Sequence, residues 1–170
     1  MRTSIFLKTH HKNIRFYFRK VNNTCTISSM IEMEIAVTDF QWPIRIYYED
    51  TDSGGVVYHA NYLNFMERAR TEWLRSLSIE QDELIDESDV LFAVRKVAID
   101  YKIAARFNDL LLVTTKITKV SGASIEVRQT ITKDSKSTVI CEADIKIVSL
   151  NATKFTPCAL PEILKKKINF

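Results

Sequence analysis

Glycine is scarce in this chain of 170 residues: Gly54, Gly55 and Gly122 are the only three. A phosphate-cradling P-loop needs two at fixed spacing before Lys-Ser/Thr, and a dinucleotide fingerprint needs three within six residues. Neither can be assembled, and no serine sits between glycines as a GxSxG nucleophile elbow requires. Collagenous and low-complexity classes fall for the same reason. The three cysteines, Cys25, Cys141 and Cys158, form no CxxC pair and cannot all pair with one another, which suits a reducing cytoplasm. Beyond the first eleven residues His59 is the sole histidine, too few ligands for a His/Cys zinc site, so neither metal nor cofactor is expected. No apolar run approaches the ~20 residues of a membrane span. A soluble cytoplasmic protein without a transmembrane segment is expected.

What is present is the composition of an ordinary globular domain: 46% hydrophobic, 26% charged, mean hydropathy −0.09. The net charge of +3 is unevenly spread. Arg2, Lys8, Lys12, Arg15, Arg19 and Lys20 lie in a stretch, 1–31, with no acid, leaving 18 of the 24 basic residues against all 21 acids. The body is therefore mildly acidic, which argues against a nucleic-acid partner. The leader is no secretory signal, because Lys8 interrupts Ile5-Phe6-Leu7. It superficially resembles a transit peptide, and Arg15-Phe16-Tyr17-Phe18-Arg19-Lys20 has a composition suited to anionic lipid or RNA. We read residues 1–33 as a basic N-terminal extension, a disordered tail or a start placed too far upstream, with Met30 or Met33 opening the domain. Residues 34–168 are read as a single domain.

Within that domain, 40–48 is an extended segment with Trp42, Ile44, Ile46 and Tyr48 on one side. A turn carrying Gly54-Gly55 follows. From 59 to 77 the apolar residues Tyr62, Phe65, Met66, Ala69, Trp73, Leu74 and Leu77 trace one stripe of a long helix. Residues 79–90 are an acidic connection with room for a helical turn. The period then changes to two, around Val97–Ile103, Leu111–Ile117, Ile125–Ile131 and Val139–Ile147. Four half-buried strands joined by short breaks predict an antiparallel meander. Residues 151–161 read as a linker and 162–168 as a short basic tail. One amphipathic helix on a five-stranded antiparallel sheet is a two-layer α+β domain.

The unusual polar residues cluster at the turn that feeds the helix: Tyr47, Tyr48, Glu49, Asp50, Asp52, Tyr58, His59 and Asn61. The first N–H groups of a helix are unpaired and partly positive, suited to a carbonyl oxygen that becomes an oxyanion. A carboxylate held just ahead of them can attack, or activate water to attack, such a carbonyl. Two blander readings stand beside this one. Asp50 and Asp52 also suit an Asx turn or a helix cap, and a histidine near a helix start is often merely solvated. An EF-hand loop counted from Asp50 fails, because position twelve is Asn61 where a glutamate is required.

The run from Arg45 to Tyr62 (RIYYEDTDSGGVVYHANY), followed by Glu67-Arg68-Ala69-Arg70-Thr71-Glu72, resembles the active-site signature of hot-dog-fold acyl-CoA thioesterases. More narrowly it resembles the 4-hydroxybenzoyl-CoA thioesterase type, and within it the bacterial Tol-Pal-associated branch. The likeness is dense over 45–72 and looser through Ile99-Asp100-Tyr101 and 105–109, covering about 40–165. It implies a hot-dog fold, with the five-stranded sheet wrapped around a long central helix. It also implies hydrolysis of an acyl-CoA to free acid and CoA. Asp52 would be nucleophile or general base, His59 and Tyr48 would support it, and the helix N-terminus near His59 would polarise the carbonyl. Acyl carrier protein is the other carrier to consider, and a homo-oligomer, dimer or tetramer, is implied. A dehydratase of the same fold would need Pro-Gly beside its histidine, and Pro43, Pro157 and Pro161 all lie far from His59. The remaining alternative is a non-catalytic acyl-CoA or acyl-carrier-protein binding module.

Overall fold

The structure, a computed structural model, describes residues 39–133 and 138–169. The basic leader and Cys25 lie outside the described residues. Five strands form one antiparallel sheet: β1 (Phe40–Arg45), β2 (Val90–Tyr101), β3 (Leu110–Ser121), β4 (Ser124–Lys133) and β5 (Thr138–Asn151). Among the described residues three α-helices accompany them: α1 (Asn61–Ser76), α2 (Gln81–Ser88) and α3 (Glu162–Lys167).

Helix α1 forms where the 3.6-residue stripe predicts it, and the stripe is what it buries. Tyr62, Phe65, Met66, Ala69, Trp73 and Leu74 all lie in the core against the sheet. Opposite them stand Ile44 of β1, Leu111 and Val113 of β3, Ile125, Val127 and Ile131 of β4, and Ala143 and Ile145 of β5. Each of these four strands contributes alternate positions, as half-buried strands must. At β5 the alternation slips. Ile140 and Cys141 are both buried, next to a register irregularity between Ile131 and Thr132 on β4. A bulge lets two consecutive side chains face inward.

The expected four-strand meander is only partly right. β3, β4 and β5 do follow one another, but the sheet order is β1-β3-β4-β5-β2. β2 pairs with β5 at one edge and β1 pairs with β3 at the other, so residues 102–109 cross from the β2 edge to β3, the strand beside β1. Period-two alternation says which face a residue takes, not which strand lies beside it. Along β2 the consequence is visible: Val94 (47% exposed), Val97 and Tyr101 (43%) are left open, as is Ile103 (54%) just beyond.

Three further differences are local. β1 ends at Arg45, and Tyr48 opens a one-turn 3-10 helix (Tyr48–Asp50), so Tyr48 does not share the inward face of Ile44 and Ile46. The acidic connection folds as α2, burying Leu84 and stopping at Asp89, whose φ of 52° is left-handed. The linker and basic tail are structural. Leu160 N donates to Gly122 O at 2.8 Å, Cys158 N donates to Ser149 O at 3.0 Å, and Leu160, Leu164 and Ile168 join the core. A stretch with three consecutive lysines hides two core anchors because their i, i+4 spacing is too short to register as periodicity.

Candidate active site

Between β1 and α1 the chain makes a tight hairpin. Tyr58 N donates to Asp50 O (2.9 Å), Thr51 bridges Val57, and Asp52 N donates to Val56 O (2.9 Å). Gly55 N closes the tip onto Asp52 O at 3.0 Å, with Gly55 at φ +71°, a conformation that glycine adopts without a Cβ penalty. The hairpin is anchored on both sides. Val57 is buried and its N–H donates to Ala105 O (2.9 Å), while Asn61 Nδ2, from the first residue of α1, reaches back to Asp50 O at 3.0 Å.

The two aspartates have different fates. Asp50 is buried, and its Oδ2 accepts the Tyr47 N–H at 2.8 Å. Asp52 is exposed, and its Oδ1 accepts the Gly54 N–H at 2.8 Å. That is the Asx-turn contact the residue types allow. It leaves Oδ2 with no partner among the described residues. The carboxylate is thus held by one oxygen and offered by the other.

His59 and Ala60 lead into α1, whose first residue is Asn61. Among the described residues the N–H groups of His59 and Ala60 meet no acceptor. They lie at the positive end of a 16-residue helix, where a developing negative charge is favoured. The His59 imidazole is exposed and packs against Tyr58 (centroids 4.5 Å) and edge-on to Tyr101 (6.4 Å, 88°). Tyr48 is 76% exposed and its ring stacks on Phe107 at 3.9 Å and 13°. No hydrogen bond joins Tyr48, Asp52 and His59 to one another among the described residues. One contact escapes sequence reasoning: Tyr101 Oη donates to His59 O at 3.0 Å. In the strand pattern Tyr101 reads simply as an alternating apolar position, and nothing there reveals its hydroxyl.

Other chemistry is less well placed. Burial, aided by Glu142, pushes the Cys141 thiol up to about 12, so it stays protonated and inert in the core. No group of three His, Cys, Asp or Glu among the described residues could hold a metal ion. No helix among the described residues is long and apolar enough to cross a membrane. A cavity of about 110 Å³ lies further along α1, lined by Trp73, Leu74, Phe92, Ile125 and Ile147, with Arg70 at its polar wall. Neither Asp52 nor His59 lines it.

The thioesterase superfamily profile matches residues 54–140, opening just past Asp52 and including His59. The chain is 44% identical over 126 residues to the acyl-CoA thioesterase YbgC of Haemophilus influenzae, covering 74% of this chain and 91% of that protein. It is 46% identical over 125 residues to the acyl-CoA thioester hydrolase YbgC of Escherichia coli O6:H1, covering 74% and 92%. The chain belongs to the thioesterase superfamily. Among solved structures, a 1,4-dihydroxy-2-naphthoyl-CoA thioesterase from Synechocystis superposes with a TM-score of 0.72 at 24% identity, covering 77% of this chain and 96% of that one. A probable thioesterase from Bartonella henselae gives 0.69 at 32%, covering 72% and 99%. The sheet wrapped on α1 is the hot-dog fold of these enzymes, and this thioesterase is a thioester hydrolase.

Proposed function

We propose that this thioesterase hydrolyses acyl-CoA to free acid and CoA, with Asp52 at the centre of the chemistry. The reading is carried by an exposed carboxylate, tethered through one oxygen in the turn that leads into α1, and by two acceptor-free N–H groups at the mouth of that helix. The substrate class follows the relatives, which are named for acyl-CoA thioesters.

The thioester carbonyl oxygen sits against the N–H groups of His59 and Ala60, which strengthen their hold as it becomes an oxyanion. Asp52 takes a proton from the attacking water through its free oxygen. The tetrahedral adduct collapses, the C–S bond breaks, and the departing thiolate receives that proton. Direct attack by Asp52 would give a mixed anhydride instead, and capture of that acyl-enzyme by hydroxylamine or borohydride in a single turnover would identify this route. The His59 imidazole orients the thioester, and Tyr48, its ring committed to Phe107, contributes binding surface at the lip of the turn.

The same reading includes a homo-oligomer. β2 is an edge strand with Val94, Val97 and Tyr101 open, a surface a second copy can cover. Cys141 and Cys158 are free thiols, in keeping with a cytoplasmic location.

The test is thiol release from a panel of acyl-CoAs, short to long and including 4-hydroxybenzoyl-CoA, by wild type and Asp52→Asn. The amide still accepts the Gly54 N–H, so the fold should hold while kcat drops by about 10²–10³. Activity within a few fold of wild type would refute the role of Asp52. A folded protein that binds acyl-CoA without releasing thiol would establish the binding-module alternative.

A further inference from the structure

Tyr101 is joined to the mouth of α1 by a contact that the reading above leaves unused. It ends β2, paired with Cys141 on β5, and its ring packs on Tyr62 of α1 at 5.7 Å. From there Oη reaches His59 O at 3.0 Å, and the ring meets the imidazole of the same residue edge-on. One side chain therefore holds both the backbone and the ring of His59. Burial, with Cys141 adding to it, raises the phenol above the usual tyrosine range, so Oη keeps the proton it donates.

In a planar trans peptide the C=O and the following N–H point in opposite directions. The carbonyl of His59 shares its plane with the N–H of Ala60. Fixing one aims the other. The preceding plane is fixed in the same way, since Tyr58 O accepts the N–H of Asn61 at 2.9 Å, which aims the N–H of His59. The two planes differ in what holds them. The 58–59 plane is pinned by the turn that opens the helix. The 59–60 plane is pinned only from outside, by a side chain on the edge of the sheet.

We propose that Tyr101 is a positioning residue for thioester hydrolysis: its hydroxyl, bonded to the His59 carbonyl, holds the 59–60 peptide plane so that the Ala60 N–H faces the developing oxyanion. The hydroxyl also draws electron density through the peptide, making that N–H a stronger donor in the state that needs it. Tyr101 touches neither substrate nor reacting atoms. This inference rests on the placement of the oxyanion at the α1 mouth proposed above.

The experiment compares Tyr101→Phe with wild type, using Tyr62→Phe as control. Tyr101→Phe keeps the ring packing and loses only the hydroxyl. Tyr62→Phe removes another hydroxyl from the same aromatic group, one that accepts the Ala105 N–H at 2.9 Å and has no bond to the 59–60 peptide. For Tyr101→Phe we expect kcat to fall about tenfold, less than the 10²–10³ for deleting an oxyanion donor outright, with KM nearly unchanged. Binding of an S-alkyl-CoA thioether, which has no carbonyl oxygen to place there, should stay within about twofold. Tyr62→Phe should lower the melting temperature while leaving kcat close to wild type. Unchanged kcat in Tyr101→Phe overturns the inference, as does an equal loss of thioether binding. If wild type releases no thiol, or Asp52→Asn still does, the proposed chemistry itself fails. A wild type that depends on Asp52 beside an indifferent Tyr101→Phe refutes only the role of Tyr101.

Discussion

Gly54 and Gly55 are neighbours with different reasons for being glycine, and alanine at each should separate chemistry from stability. At Gly54 the backbone is unstrained, but a Cβ would stand 3.1 Å from Asp52 Oδ1, the oxygen its own N–H holds at 2.8 Å. Ordinary contact begins at 3.4 Å, so the carboxylate must retreat by a few tenths of an ångström. A misplacement of ~1 Å at a reacting group costs about 10²-fold, so one of ~0.3 Å should cost about fourfold in kcat. At Gly55 nothing lies within 4 Å of a Cβ, but φ is +71°. Alanine there pays ~1–2 kcal/mol of left-handed strain and no collision, lowering Tm by about 2–8 °C. The assay is thiol release at saturating acyl-CoA, run beside thermal melts of both variants. Gly54→Ala should lose turnover with Tm nearly unchanged, and Gly55→Ala the reverse. An active Gly54→Ala beside an inactive but folded Gly55→Ala would refute the claim that the Asp52 carboxylate is the group the turn positions.

Asp50→Ala should be a stability variant first, because its buried carboxylate holds the Tyr47 N–H; we expect a loss of about 2 kcal/mol, read as a Tm fall of roughly 4–8 °C. Asp89 should make stability acid-sensitive. Hydrogen bonds from the Thr153 hydroxyl, the Asn151 amide and the Thr153 N–H outweigh its desolvation and hold its carboxyl below the ordinary 3.8. A depressed folded value means the stabilisation is complete above about pH 4 and is lost as pH falls through the lower value. Melts of wild type and Asp89→Ala should therefore differ at neutral pH, and the gap should narrow as pH falls below the ordinary carboxylate range; a constant gap would refute the account.

Much of the fold was legible because it depends on periodicity. The stripe from Tyr62 to Leu74 placed α1, and the alternations around Leu111, Ile125 and Ala143 placed the inward faces of β3, β4 and β5. What escaped depends on pairing or on short spacing. Val97 and Tyr101 alternate like buried residues but sit on an edge strand, since alternation is indifferent to whether anything covers the face. Leu164 and Ile168 anchor α3 among lysines, two residues being too few to make a period. Tyr48 follows the phase of Ile44 and Ile46 in sequence but leaves the strand, because Asp50 closes a turn of 3-10 helix by accepting the Tyr47 N–H.

The site shows the same division more sharply. Residue type and spacing mark Asp50 and Asp52 equally, and each suits a turn as well as it suits catalysis. What separates them is which way the hairpin turns its side chains. Asp50 points into the protein, where its carboxylate and its carbonyl between them hold Tyr47, Tyr58 and Asn61, and so fix the turn to the helix. Asp52, two residues on, emerges at the tip, where one oxygen is enough to hold its orientation and the other stays free. The Asx turn and the proposed catalytic role are then no longer competing descriptions of Asp52. The turn contact fixes the direction of the carboxylate, much as the hydroxyl of Tyr101 fixes the peptide plane at His59. A polar group at such a site needs one anchored end and one available end, and the hairpin ahead of α1 supplies both.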